Sequence, residues 1–160
     1  MKVLVLYYSK GGNTRSLAEA IGEGAGQVEG VEVILRHTRD VTKDDFVSAQ
    51  GLILGSPVYF GTMAAELKQV LDDFVGVRRK MENKVGAAFT TSGDPTGGKE
   101  TTLFSIIQAM LIYGMIIVGD PLSATGHYGT ACVGAPDGAA QENGRKLGQR
   151  VAELVTQLTA

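Results

Sequence analysis

With 160 residues, of which 44% are hydrophobic and 20% charged, the chain has the length and composition of one globular domain that buries about two thirds of its unfolded surface. A net charge of −2, with basic residues scattered apart from the run Arg78, Arg79, Lys80, argues against a nucleic-acid partner. A single cysteine excludes an intramolecular disulfide, and one cysteine with two histidines argues against a cysteine- or histidine-rich metal centre; one histidine with carboxylates is the alternative left open, and no metal is expected.

The chain opens with the apolar run "KVLVLYY", too short for a signal peptide and followed by no cleavage site, and it reads as a first strand. After "SKGGNTR" a helix is expected from about Asn13, with Leu17, Ile21 and Val28 near one face. The stretch "GEGAG", Gly22 to Gly26, echoes a dinucleotide fingerprint but sits at the end of that helix instead of its start, and it is discounted. "VEVILR" reads as a second strand, and in "TKDDF" Thr42 and Asp45 are spaced for a capping box on a short helix.

"GLILGS" reads as a third strand, leading through "SPVYFG" to a helix with the stripe Met63, Leu67, Val70, Leu71 and Phe74. The basic run at Arg78 then reads as a solvated helix end. "VGAAFTT" is the fourth strand, and "SGDPTGGKET" after it has the spacing of a triphosphate loop. Position 100 is Glu where that loop needs Ser or Thr, and the third strand ends in "LGSP" with no Asp for a metal, so the match is set aside. Leu103, Ile107 and Met110 mark a further helix ended by Gly114; "MIIVG" is the fifth strand; Leu147, Val151, Leu154 and Leu158 mark the last helix. No apolar run approaches the length of a membrane span, so a cytoplasmic protein that is not membrane-embedded is expected, with residues 1–160 as a single domain.

Strand and helix alternate five times, which predicts an α/β fold. A five-stranded parallel sheet of order 2-1-3-4-5, with helices on both faces in a three-layer sandwich, fits the length better than six strands. Ligands bind such sheets beyond the carboxyl ends of the strands, where the order reverses between the first and third. Three loops are thereby nominated.

In the first, Ser9, Gly11, Gly12, Asn13 and Thr14 stand where a strand gives way to a helix, so hydroxyls and free N–H groups converge at the positive end of the helix dipole, as a phosphate monoester requires. Simple capping by Asn13 or Thr14 is the alternative. In the second, Ser56, Pro57, Val58, Tyr59, Phe60 and Gly61 offer adjacent aromatics as a platform for a planar ring, or as lids over the core. In the third, Thr90, Thr91, Ser92, Gly93, Gly97 and Gly98 offer backbone without bulk to the polar edge of a heterocycle. Cys132, among the small residues of "TACVG", reads as a small buried hydrophobe and not as a reactive thiol.

Together "VLVLYYSKGGNT", "LGSPVYFGTM", "TTSGDPTGGKE" and "YGMIIVG" resemble the flavodoxin-like family, most closely the WrbA-type NAD(P)H:quinone oxidoreductases, over nearly the whole chain. The resemblance implies FMN as cofactor, its phosphate held by Ser9 to Thr14 and its ring flanked by Ser56 to Gly61 and Thr90 to Gly98. It also implies NADH or NADPH as electron donor, a quinone-like acceptor and a homo-oligomer. "GHYGTACVG" is similar to a family stretch that closes over the flavin, which makes His127 and Tyr128 candidate contacts; a surface histidine is the alternative for His127. Two departures bear on the quinone site and the assembly. The insertion that WrbA-type proteins carry before the third strand is lacking, and Tyr113 stands where a histidine is expected near the substrate, so Tyr113 joins the candidates.

A flavodoxin electron carrier, docking on redox proteins without substrate turnover, is the competing function. Such carriers present an acidic rim and often an aromatic in the third loop, whereas here the net charge is mild and "TTSGDPTGG" has no aromatic. A signalling receiver of the same strand order needs clustered acids after its first strand, and "LYYS" has none.

Overall fold

A computed structural model describes residues 1–159. Its parallel sheet is built from β1 (Lys2–Tyr7), β2 (Glu32–His37), β3 (Gly51–Pro57), β4 (Val85–Ser92) and β5 (Ile116–Ile117), in the order β2-β1-β3-β4-β5. The helices are α1 (Asn13–Gly26), α2 (Lys43–Ser48), α3 (Ala65–Asp73), α4 (Lys99–Ile112) and α5 (Gly138–Thr159), and the basic run lies exposed in a 3-10 turn, Val75–Met81. This is the expected three-layer order. The strands β1, β3 and β4 are buried along almost their whole length, which is why they read as continuous apolar runs and not as alternating ones.

One expectation needs correction. "MIIVG" supplies only two strand residues, paired to Val85 and Gly86 at the start of β4. A sixth segment, β6 (Thr130–Val133), pairs with Phe89 to Ser92 farther along the same edge. The fifth position of the sheet is thus filled by two short strands, with residues 118–129 inserted between them. Asp120 holds the insertion in place: its buried carboxylate accepts from the Gly129 N–H at 2.9 Å and the Thr130 hydroxyl at 2.7 Å, while Arg150 donates to its backbone carbonyl at 2.6 Å.

One core lies between the sheet and α1 with α5, built from residues such as Val3, Val5, Leu17, Ile21, Phe89, Leu147 and Val151. The other lies under α2, α3 and α4, with Leu4, Leu52, Leu54, Phe46, Leu67, Ile106 and Met110. Val28 falls beyond the end of α1 and still packs on the first core, and Leu158 is exposed. The discounted "GEGAG" finds its role here: a Cβ on Gly24 would overlap the Arg145 carbonyl of α5, and one on Gly148 would overlap the Ile21 carbonyl of α1. Glycine lets the two backbones touch.

The capping box forms as expected. The Thr42 hydroxyl accepts from the Asp45 N–H at 3.1 Å, and the Asp45 carboxylate accepts from the Thr42 N–H at 2.9 Å. Partial burial opposes ionisation of Asp45, but the Thr42 donors and the Arg36 guanidinium outweigh it and hold its pKa below the usual value. At the other end Lys84 donates its ammonium to the carbonyls of Phe46, Val47 and Ala49, and burial lowers its pKa. Both ends of α2 are therefore fixed, and the helix stays at 6 residues.

Among the described residues no helix is long and apolar enough to cross a membrane. Replacing Gly148 by Val forces α1 and α5 apart; a loss of about 2–3 kcal/mol in urea unfolding is expected, and a loss below about 0.5 kcal/mol contradicts the close-contact account.

Candidate functional site

The three nominated loops meet at the carboxyl ends of β1, β3 and β4, joined by buried hydroxyls. Thr14, in the first turn of α1, shares a 2.8 Å hydrogen bond with Thr91 of β4 across the end of β3. The Val58 N–H donates to the Thr91 carbonyl at 2.8 Å, and the Thr90 hydroxyl donates to the Ser56 carbonyl at 2.6 Å. The Ser56 hydroxyl in turn accepts from the Ala64 N–H at 2.7 Å, just before α3. Ser56 and Thr90 are fully buried, and Thr14, Thr91 and Ser92 nearly so. These side chains are scaffold beneath the loops.

What the loops present outward is largely backbone. Helix α1 starts after Gly12, held at φ 96°, and no side chain caps it; Asn13 and Thr14 are its first helical residues, so simple capping by either is not what the structure shows. Helix α4 likewise starts after Gly98, at φ 104°, without a side-chain cap. The first-turn N–H groups of an α-helix have no partner within the helix, and at these two starts they remain available to an anion or a polar edge. Ser9 supports the first turn by accepting from the Gly12 N–H at 3.1 Å, and Lys10, Gly11, Gly12 and Asn13 are exposed around it.

The loop after β4 is tied into a compact form. Asp94 accepts from the Thr96 N–H at 2.8 Å and hydroxyl at 2.9 Å, which lowers its pKa, and the Gly97 N–H donates to the Asp94 carbonyl at 3.1 Å. Gly98 packs so closely on Gly61 that a Cβ there would sit 2.9 Å from the Gly61 Cα, so the second and third loops touch through two glycines. The Walker-like spacing therefore serves a tight turn.

Tyr59 and Phe60 do not roof the core. Tyr59 and Thr62 exchange backbone hydrogen bonds of 3.1 Å, closing a two-residue turn in which Phe60 is forced to φ 50° and Gly61 to φ 75°. The Phe60 side chain stands fully in solvent, and a bulky residue at positive φ carries strain of about 1–2 kcal/mol. Tyr59 packs edge-on against Tyr8, with ring centroids 6.3 Å apart.

His127 and Tyr128 are exposed on the insertion and line a cavity with Lys99 and Glu100 at the start of α4, beside the third loop. Tyr128 also packs on Phe104 of α4, with ring centroids 4.8 Å apart. Tyr113 does not join them. It lies at the far end of α4, buried in the second core, with its hydroxyl donating to the Leu71 carbonyl at 2.6 Å in the last turn of α3. Burial, with help from the Asp72 carboxylate, pushes its pKa up to about 12. Tyr113 closes the end of α3 and is withdrawn as a candidate for chemistry.

Cys132 in β6 is half-buried, and burial raises its thiol pKa, in keeping with a small hydrophobe. Sequence reasoning did not nominate Tyr8, His37 and Arg39, which line a groove between the end of β2 and α3. The available signal was that "RHTR" ends the strand beside the switch point.

Parallel strands in this order, with three loops gathered at the switch point, define a flavodoxin-like α/β protein. The family model described as NADPH-dependent FMN reductase matches residues 1–130. A relative named "Flavodoxin" from Aquifex aeolicus is 37% identical, covering 96% of this chain and 86% of its own. One named "NAD(P)H dehydrogenase (quinone)" from Archaeoglobus fulgidus is 32% identical, covering 98% of each chain. Among solved structures, a WrbA-like flavodoxin from Agrobacterium tumefaciens superposes with a TM-score of 0.85 at 24% identity, over 98% of each chain. The chain belongs to the NADPH-dependent FMN reductase family.

Replacing Tyr113 by Phe leaves the Leu71 carbonyl unpaired; a loss of about 1–2 kcal/mol in denaturant unfolding is expected, with FMN affinity by fluorescence titration unchanged. A weakened FMN affinity would return Tyr113 to the site.

Proposed function

We propose that the protein is an FMN-dependent oxidoreductase that takes electrons from NADH or NADPH and passes two of them to a small quinone-like acceptor, with the whole chain serving as one FMN-binding domain. The observation that carries this reading is the uncapped start of α1 at Gly12, tied by Thr14 and Thr91 to the loop that bears the exposed Tyr59–Phe60 turn. An anion site and an unburied aromatic platform are thus supported by the same buried hydroxyls. FMN, with one phosphate and one flat ring, fits that pair, and when bound it supplies the two-electron chemistry.

In this assignment the backbone of Lys10 to Thr14, with the Ser9 and Asn13 side chains, holds the phosphate at the positive end of the α1 dipole. Tyr59 and Phe60, with the backbone of Pro57 to Gly61, flank one side of the ring, and the backbone of Ser92 to Gly98 faces its polar edge. Thr14, Ser56, Thr90 and Thr91 act from beneath by fixing the loops. His127 and Tyr128 close the site from the insertion and order the acceptor; no side chain is required as a general base.

The 37% identical relative named "Flavodoxin" supports a second reading, an electron carrier without substrate turnover. An anaerobic visible spectrum of the FMN-loaded protein separates the two. Rapid bleaching of the bound-flavin band by stoichiometric NADH or NADPH is expected. Bleaching by dithionite alone makes the protein a carrier, and failure to bind FMN overturns both.

Phe60 yields a sharper test, because its strained backbone serves no contact within the chain. Phe60→Gly is expected to raise unfolding stability by up to about 1 kcal/mol while weakening FMN binding about tenfold or more. Unchanged FMN affinity would take Phe60 out of the site.

A further inference from the structure

Beside the three loops, the groove between the end of β2 and α3 has a volume of about 720 Å³, with Tyr8, His37, Arg39, Glu66 and Gln69 on its walls. That lies within the usual range of small-ligand sites. It is continuous with the site just described in two ways. Tyr8 stands edge-on to Tyr59, and His37 with Arg39 also lines a cavity shared with Ser9, Lys10 and Gly12.

The charges at the mouth are unevenly satisfied. Arg15 is paired with Glu19 at 2.8 Å and Arg36 with Asp45 at 3.3 Å, but Arg39 and Lys10 form no ion pair among the described residues. Arg39 is not loose, because its Nε and its backbone N–H each donate to His37 Nδ1 at 3.2 Å. Those two bonds make Nδ1 the acceptor and place the imidazole proton on Nε2, which is buried without a partner between the Tyr7 and Tyr8 rings. The guanidinium is therefore held by one edge with its two terminal nitrogens free, the geometry suited to a phosphate dianion.

The rest of the groove suits an adenosine. Tyr8 and His37 offer aromatic surface, Gln69 an amide, and Glu66 an acceptor for an exocyclic amine. The Glu66 carboxylate already bears on the Tyr8 hydroxyl, and it is the main cause of that phenol's raised pKa. Glu66 and Asp73 on the α3 wall repel an anion and so favour the opposite wall, where Arg39 lies; Asp40 lines the adjoining cavity together with Arg39 and Lys10 and is the carboxylate that those two cations must outweigh.

We propose that this groove binds an adenosine 2′-phosphate, the half of NADPH that distinguishes it from NADH, with Arg39 and Lys10 receiving the 2′-phosphate. The identification of the ligand as the electron donor rests on the enzyme reading above, whereas the phosphate subsite rests on the groove itself. The nicotinamide half then runs past Tyr8 toward Tyr59 and the ring platform.

Calorimetric titration of the FMN-loaded protein with adenosine 2′,5′-bisphosphate and with adenosine 5′-monophosphate tests the subsite without turnover. The bisphosphate is expected to bind about tenfold tighter or more. Arg39→Gln removes that difference and Arg39→Lys restores part of it, because a point charge replaces the fork. In kinetics the ratio of kcat/KM for NADPH to that for NADH falls about tenfold in Arg39→Gln. Arg39 is exposed, and a thermal melt matching the parent shows the variant folded. Equal affinity for the two nucleotides, or a loss in Arg39→Gln that is the same for both, overturns the proposal. Selective bisphosphate binding in a protein that neither donor reduces upholds the subsite and overturns only the enzyme reading.

Discussion

The buried contact between the Thr14 and Thr91 hydroxyls is the constraint on which the rest of the site depends. Thr14 belongs to the first turn of α1 and Thr91 to the end of β4, and β3 lies between them in the sheet. The Thr91 carbonyl also receives the Val58 N–H, so one residue of β4 fixes the loops that follow β1 and β3. In a region this dry a hydroxyl without a partner costs about 1–3 kcal/mol, so the pair holds its register. The neighbouring Thr90–Ser56 bond repeats the device one residue earlier, and Gly55 supplies the space below, where any Cβ would strike the Phe89 ring. The loops are thus fixed at their bases, and the second and third are also tied nearer their tips, which holds their backbone donors in place.

Contrast between the helix starts shows how that backbone is kept available. Helix α2 satisfies its first turn internally, through Thr42 and Asp45, and it lines no part of the three loops. Helices α1 and α4 start instead at glycines in left-handed conformations, with no side chain capping the N–H groups of the first turn. The polar residues at Asn13 and Thr14 resemble caps in sequence, but they come one and two positions too late, inside the helix. Thr14 is thereby released to bond across the sheet.

Strand order, helix order and the three loops were legible in the sequence because the central strands β1, β3 and β4 are buried on both faces and the longer helices carry apolar residues at helical spacing. The split fifth position was not, because β6 has four residues and its burial depends on Asp120 and Arg150, whose partners are distant in sequence or lie in backbone. The role of "GEGAG", discounted as a fingerprint, was hidden for a related reason: glycine for helix contact and glycine for phosphate approach look alike until the partner helix is in place. Tyr113 was misplaced by analogy with a histidine, although α4 is long enough to carry its end away from the loops to the opposite end of the strands. Which hydroxyls face outward was also hidden. Ser56 and Thr90 have the residue type of ligand contacts, and only packing shows that their oxygens are already bonded.

The shape of the region around β2 bears on whether the protein turns over a soluble donor. A carrier needs one exposed cofactor edge for contact with a protein partner, whereas an oxidoreductase also needs room for a second cofactor-sized molecule. Helix α2 stops after 6 residues, closed at one end by its capping box and at the other by Lys84. The groove between the end of β2 and α3 is lined by no residue of α2. Arg39 is anchored on His37, whose ring packs edge-on against Tyr8, and Tyr8 in turn stands edge-on to Tyr59. On the reading proposed above, the groove gives a second molecule a place beside Tyr8 and Tyr59, a place that an oxidoreductase uses and a carrier does not need.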